Sequence, residues 1–101
     1  MKKFIGQYKE FGDGKESITN SFSQSPYPDQ SKIAEYVRNG GVLLDCAPSI
    51  LRDIITNEKI SEPQETRSDE FYVWFSELAY YVEKYNLRLP AEFENQILQS
   101  I

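Results

Sequence analysis

At 101 residues, with 40% hydrophobic and 27% charged side chains, the chain has room for one folded domain and is not typical of a disordered segment. No apolar run approaches the about 20 residues that span a bilayer, and polar residues soon follow the two N-terminal lysines, so neither a membrane span nor an export signal is predicted. Cys46 is the only cysteine, which rules out an internal disulfide framework and favours a reducing cytoplasm.

The net charge of −5 is distributed unevenly along the chain. Residues 1–44 carry six basic and five acidic groups, whereas residues 45–101 carry five basic and eleven acidic groups. Nucleic-acid binders concentrate lysine and arginine to neutralise phosphates, so nucleic acid is not a predicted partner. The charge fits a basic protein partner, although moderately acidic cytoplasmic domains are also common.

The N-terminal part predicts few regular elements. Residues 1–11 have the composition of a short strand, and residues 12–14 are typical of a turn. The segment 12–28 is rich in serine and proline and has no sustained period, so we expect a loop or a short helix that Phe22 anchors to the domain.

A helix is predicted over 29–39. Asp29 is in the position of an N-cap, and Gly40-Gly41 provides a left-handed stop. The apolar positions at helical spacing are Ile33, Tyr36 and Val37.

The next elements are less regular. The compact apolar run 42–47 predicts a buried central strand. Residues 49–60 fit either a helical face or a strand, with a turn near 56–59. Residues 61–70 lack any large apolar side chain, which predicts a solvent-exposed loop.

Half of the aromatic residues lie between Phe71 and Pro90. Phe71–Phe75 has the composition of a central strand with Trp74 in the core. Ser76 is an N-cap candidate for a helix that Asn86 ends. The apolar positions of that helix are Leu78, Ala79, Val82 and Tyr85, and those of a final helix that begins near Pro90 are Phe93, Ile97 and Ile101. We therefore predict one α/β (α+β) domain, residues 1–101, with about three strands flanked by about three helices.

Catalytic chemistry finds little support in the residue types. The chain has no histidine, which removes the commonest general base, the commonest metal ligand and every Ser-His or Cys-His pair. We predict no metal, no cofactor and no catalytic residue, and we expect Cys46 to pack as a small apolar side chain. Asp45 and Asp53 could form an acid–base pair, but a turn cap and solvated charges explain them more simply. The chain is therefore not predicted to be an enzyme.

Acidic residues and tyrosines near the aromatic region form the predicted partner-binding set. Tyrosine beside acidic groups is a common anchor for a basic partner, and an open strand edge is a second binding mode that this layout permits. The predicted partner-binding residues, which we call the predicted acidic surface, are Glu58, Glu62, Glu65, Asp69, Glu70, Tyr72 and Tyr80.

Four short segments between residues 30 and 95 carry a family resemblance. They read YVRNG (36–40), APSILRD (47–53), WFSELAYYVEKY (74–85) and LPAEF (89–93). This pattern resembles small bacterial immunity proteins associated with contact-dependent growth inhibition and other polymorphic toxin systems. The family often has a proline shortly after the tryptophan, where this chain has Phe75-Ser76.

The resemblance implies a cytoplasmic, non-catalytic protein that neutralises a cognate toxin, often a basic nuclease, by covering its active site. It defines no site residues that can be assigned to this chain. The alternative is a non-catalytic adaptor or regulatory protein that acts by self-association or partner binding.

Overall fold

A four-stranded sheet with three helices forms the domain in a computed structural model that describes residues 2–12 and 14–99. The spatial order in the sheet is β1-β6-β5-β2, and β3 and β4 form a separate two-stranded sheet. The strands are β1 (Lys3–Ile5), β2 (Val42–Ala47), β3 (Leu51–Arg52), β4 (Lys59–Ile60), β5 (Gln64–Ser68) and β6 (Tyr72–Phe75), and the helices are α1 (Gln30–Asn39), α2 (Leu78–Tyr85) and α3 (Ala91–Gln99). The predicted α+β class is confirmed, with one strand more in the main sheet than expected.

Strand β6 occupies the interior of the sheet, as predicted. It pairs in parallel with β1 and antiparallel with β5. Trp74 lies opposite Ile5 on one side and Arg67 on the other, and its side chain is fully buried. The indole Nε1 donates to the carbonyl oxygen of Val37 at 2.8 Å, so the tryptophan joins the sheet to α1.

The predicted loop over 61–70 is wrong, because this segment contains β5, which pairs on both sides. The charged side chains of β5 form hydrogen bonds with each other and with the end of α1. Arg67 donates from Nε to Glu65 at 3.2 Å and from Nη1 to the last carbonyls of α1, at Asn39 (3.1 Å) and Gly40 (3.2 Å). A polar strand is tolerated here because its cation binds the unsatisfied C-terminal carbonyls of a helix.

The prediction of a buried central strand over 42–47 is also wrong. This segment is β2, which pairs only with β5 and forms an exposed edge of the sheet. The predicted packing of Cys46 fails for the same reason, since its side chain is exposed on this edge. An apolar run therefore identified a strand correctly but not its position, because composition does not specify the neighbours on either side.

Helix α1 begins after Asp29, but Asp29 does not cap it. The residue has a left-handed φ of 63°, and its side chain makes no capping hydrogen bond. Gln30 instead accepts from the amide of Tyr27 at 3.0 Å and donates to the carbonyl of Val82 at 2.6 Å. The predicted left-handed stop is at Gly41, where φ is 63°.

Helix α3 follows the predicted pattern, and α2 follows it in part: Leu78, Ala79 and Val82 are buried, but the fourth buried side chain is Tyr81 rather than the predicted Tyr85. Asn86 ends α2 in the left-handed conformation with φ 56° and ψ 41°. Ser76 does not cap α2 with its side chain, because its hydroxyl donates to the carbonyl of Pro63 at 3.4 Å. Phe93 and Ile97 are buried on α3, whereas the predicted third position of that stripe, Ile101, lies outside the described residues.

Gly12 and residues 14–28 contain one short 3-10 helix, at Ile18–Ser21, and otherwise consist of turns and loops with an isolated bridge at Phe22. The Ser17 hydroxyl caps this turn by accepting from the amide of Thr19 at 3.3 Å. Ile18 is fully buried, and Phe22 stacks on Tyr85 with ring centroids 4.7 Å apart, which confirms the predicted anchor. Of the predicted strand over 1–11 only β1 forms, and Asp13 in the predicted turn lies outside the described residues.

Side chains from the four-stranded sheet and from the three helices meet in one core. Ile5, Val37, Trp74, Val82 and Ile97 are each at most 1% exposed, and they belong to β1, α1, β6, α2 and α3 respectively. Within residues 2–12 and 14–99, no helix is long and apolar enough to cross a membrane.

Candidate functional site

Glu62, in the predicted acidic surface, is paired with an arginine of α1. Arg38 Nη2 lies 2.7 Å from Glu62 Oε1 and 2.6 Å from Glu83 Oε1. The hydrogen bonds to Glu83 and Glu62 raise the pKa of the Arg38 guanidinium above its usual range. Glu62 therefore ties the connection before β5 to α1, and only Glu83 of the two carboxylates is half-exposed (51%).

Asp69 organises the turn between β5 and β6. Its Oδ1 accepts from the amides of Phe71 (2.9 Å) and Tyr72 (2.8 Å), and its Oδ2 accepts from the hydroxyl of Tyr36 at 2.7 Å and from the side-chain amide of Gln96. Burial and the hydrogen bond to Asp69 raise the pKa of Tyr36 above its usual range. The carboxylate of Asp69 is thus occupied by contacts within the domain.

Three further members of the set also make internal contacts. Glu65 pairs with Arg67 as described above, and both side chains are less than one fifth exposed. The ring of Tyr72 packs against Phe93 with centroids 4.9 Å apart. Tyr80 donates from its hydroxyl to Asp53 at 2.5 Å.

Glu58 and Glu70 are the two exposed acidic members without a side-chain partner among the described residues. Glu58 precedes β4, and Glu70 lies in the turn between β5 and β6. The seven predicted residues come from different elements: Glu65 lies on β5, Tyr72 on β6 and Tyr80 on α2, and the other four lie in connections.

Asp53 is the buried centre of a polar cluster that the sequence only partly indicated. Its side chain is fully buried; Oδ2 accepts from Tyr80 at 2.5 Å and from Tyr85 at 2.7 Å, with Lys84 Nζ 3.5 Å away. Oδ1 accepts from the amides of Ile55 (2.7 Å) and Thr56 (3.1 Å). We call Asp53, Tyr80, Lys84 and Tyr85 the Asp53 cluster.

The electrostatics of this cluster favour a fixed anion. Burial opposes ionisation of Asp53, but hydrogen bonds from Tyr80, Tyr85 and two amides outweigh it and hold its pKa well below the usual range. Burial, together with the hydrogen bond to Asp53, raises the pKa of Tyr85 to about 12. A carboxylate ionised at every ordinary pH, facing tyrosines that stay protonated, is a structural anchor rather than an acid–base pair.

The alternative of a catalytic pair at Asp45 and Asp53 receives no geometric support. Asp45 lies on β2, where its carboxylate accepts from the adjacent amide of Cys46 at 2.9 Å. Asp53 instead makes the contacts of its own cluster with α2. No group of three potential metal ligands occurs among residues 2–12 and 14–99.

The edge formed by β2 is the surface feature that the sequence analysis misplaced. Three consecutive side chains, Val42 (60%), Leu43 (50%) and Leu44 (57%), are at least half exposed. The register of β2 against β5 shifts between Leu43 and Asp45, so Leu44 lies in a bulge. No signal in the sequence marked this run as an edge, because the three predicted strands were enough to flank it on both sides.

An open groove lies along α1, lined by Lys32, Glu35, Tyr36 and Asn39 among others. Its cavity volume is about 530 Å³. It lacks convergent buried polar groups that would orient a cofactor.

No protein-family model matches the chain, and neither a curated protein nor a solved structure is detectably similar to it.

Proposed function

We propose that this chain is a non-catalytic immunity protein that binds and neutralises a basic toxin domain in the cytoplasm. The observation that carries the proposal is the net charge of −5 combined with exposed Asp45, Glu58 and Glu70, none of which has a cationic partner among the described residues. Unpaired surface carboxylates attract a basic partner over a Debye length and set the orientation of the encounter.

The remaining carboxylates support a binding role over a catalytic one. Asp53, Glu62 and Asp69 each hold two parts of the domain together, so they stabilise the scaffold instead of contacting a substrate. With no histidine in the chain, the polar groups lack the usual proton acceptor for hydrolysis. Inhibition then results from binding, in which this chain covers the toxin sterically and matches its charge.

An adaptor that self-associates is the second candidate function. It is favoured by the open β2 edge, because an apolar strand with one free edge can pair with the same strand of a second copy. Sedimentation or light scattering over a concentration series separates the candidates, since the immunity proposal needs no self-association.

The first test uses the neighbouring reading frame. The proposal expects a large secreted protein there, and its C-terminal domain, purified in an inactive form, should bind this chain. We expect the affinity to fall about ten-fold or more between 50 and 500 mM NaCl, because the attraction between exposed charges is screened. The double variant E58K/E70K should slow association about five- to ten-fold in stopped-flow or biolayer measurements.

The matched control is E16K/E35K, which makes the same charge change at exposed glutamates outside the predicted acidic surface. Its effect on the association rate should be about two-fold or less. If E58K/E70K and E16K/E35K slow association equally, the effect comes from net charge and not from the predicted acidic surface. Absence of binding by the wild-type chain would remove the immunity proposal.

A further inference from the structure

The β2 edge, Val42–Ala47, exposes apolar surface where a sheet is open to another strand. β2 pairs with β5 on one side, and its three exposed apolar side chains are consecutive. A strand at the edge of a sheet leaves alternate backbone N–H and C=O groups free, and an apolar edge is a ready template for an added strand. The charge and shape of this edge allow its occupant to be specified.

The register defines which side chains an added strand meets on each face. Leu43 lies opposite Arg67, which lies opposite the buried Trp74, so Leu43 is on the face that the helices cover. Val42 lies opposite Ser68 and Asp45 opposite Thr66, which places both on the other face. An incoming strand therefore finds apolar contacts on both faces and a carboxylate on one of them.

We propose that an extended segment of a basic partner protein adds to the sheet beside β2, with a lysine or arginine opposite Asp45. The inference rests on the proposed function and identifies where and how that partner is contacted. Asp45 is exposed, has no ion-pair partner among the described residues, and β2 contains no basic residue. A cation on the added strand supplies the missing partner, and main-chain hydrogen bonds supply the rest of the attraction.

A second copy of the chain fits this edge less well. Each copy carries a net charge of −5, so pairing two edges brings together two acidic proteins and still leaves each Asp45 without a cation. The bulge at Leu44 limits the registers available to a strand, which protects the edge from indiscriminate pairing.

The test uses the purified toxin domain of the neighbouring reading frame, two edge variants and one control variant. We expect V42E/L44E to weaken binding about 30-fold or more and D45K to weaken it about ten-fold, because one removes the apolar contacts and the other repels the cation. The control I50E/I55E changes two comparably exposed apolar residues (66% and 51%) off this edge and should change binding about three-fold or less. Circular dichroism establishes that each variant is folded.

Hydrogen exchange provides the direct measure of strand addition. Amides of residues 42–47 should gain protection in the complex, and the increase should be absent for V42E/L44E. If the wild-type chain binds the toxin domain, but the edge variants bind equally well and 42–47 gain no protection, this inference is wrong and the proposed function stands. If the wild type does not bind, both are wrong. A concentration-dependent dimer abolished by V42E/L44E would show that a second copy occupies the edge instead.

Discussion

Asp53 shows how one buried carboxylate joins two parts of a small domain. It lies between β3 and β4, yet it accepts hydrogen bonds from Tyr80 and Tyr85 on α2. Next to it, the hydroxyl of Tyr81 accepts from the amide of Ile54 at 3.2 Å. The two-stranded sheet is thereby attached to the helical layer. Removing the charge takes the shared acceptor away from two partly buried hydroxyl groups that face a fully buried side chain, and that penalty is larger than the value of an average surface interaction.

We therefore expect D53N to lower the free energy of unfolding by about 2–4 kcal/mol at pH 7. Because the pKa of Asp53 is depressed in the folded state, the stability that it contributes is present above the unfolded-state pKa of about 3.9 and is lost as pH falls below about 4. Urea denaturation at pH 7, 4 and 3 should thus show the difference between wild type and D53N narrowing with acidification.

Asp45 is the matched control for this experiment, since it is exposed and accepts only the adjacent amide of Cys46. D45N should change stability by about 0.5 kcal/mol or less at each pH. A D53N effect of that size at pH 7, or one that does not depend on pH, would contradict the anchoring role.

Sequence reasoning explained Asp45 and Asp53 as a turn cap and solvated charges; Asp53 does cap a turn, but it is buried, and its tyrosine partners were not predicted. The local part of the role was predictable, because aspartate accepts from amides two and three residues later, as it does here at Ile55 and Thr56. The partners on α2 lie 27 and 32 residues away, and no local pattern specifies such contacts.

At the scale of elements, helices were more predictable than the order of the strands. Helix α1, helix α2 and strand β6 follow from apolar spacing and from left-handed stops near Gly41 and Asn86. The apolar strand β2 and the polar strand β5 were misassigned because their composition suggests the reverse of their positions. β5 is interior because Glu65 and Arg67 neutralise each other and Arg67 binds the end of α1.

The link from α1 to β2 depends on Gly41, whose φ of +63° favours glycine. A Cβ at this position would lie 2.3 Å from the carbonyl oxygen of Ser68 and 3.2 Å from the ring of Trp74. Gly12 has a φ of +82°, but nothing lies within 4 Å of the equivalent position. An alanine at Gly12 would therefore meet only the backbone strain of a positive φ, whereas an alanine at Gly41 would meet that strain and a steric overlap as well.

We expect G12A to destabilise the domain by about 1 kcal/mol, the cost of a left-handed alanine. G41A should cost at least about 2 kcal/mol more, because strand β5 or the indole must move as well. Urea denaturation of both variants gives the comparison. If G12A and G41A lower the free energy of unfolding by similar amounts, the α1–β2 junction accommodates the added methyl group without disturbing the core.

At the scale of the whole molecule, Trp74 lies in a core that the sheet and all three helices share. Its ring contacts Phe93 of α3 and Tyr36 of α1, with centroids 5.2 and 5.5 Å away, and the core around it includes residues of α2 and β1. The buried apolar side chains of residues 2–12 and 14–99 form this one core, so none of them would keep a separate core if it opened.

The domain should consequently unfold in a single transition. Tryptophan fluorescence and far-ultraviolet circular dichroism should give the same urea midpoint, with a slope of about 1 kcal/mol/M for a chain of this size. Midpoints that differ by more than about 0.5 M would indicate that the helical layer or the β3–β4 unit unfolds independently.

The parallel pairing of β1 with β6 has a consequence for biosynthesis. Lys3–Ile5 is made early, but its partners Tyr72–Trp74 follow about 70 residues later. At 5–20 residues per second the ribosome needs about 4–14 seconds to supply them. During this interval the first strand has no template, and β2 also lacks β5. The four-stranded sheet can therefore close only after Trp74 has been translated, and β1 and β2 stay without their sheet partners for much of synthesis.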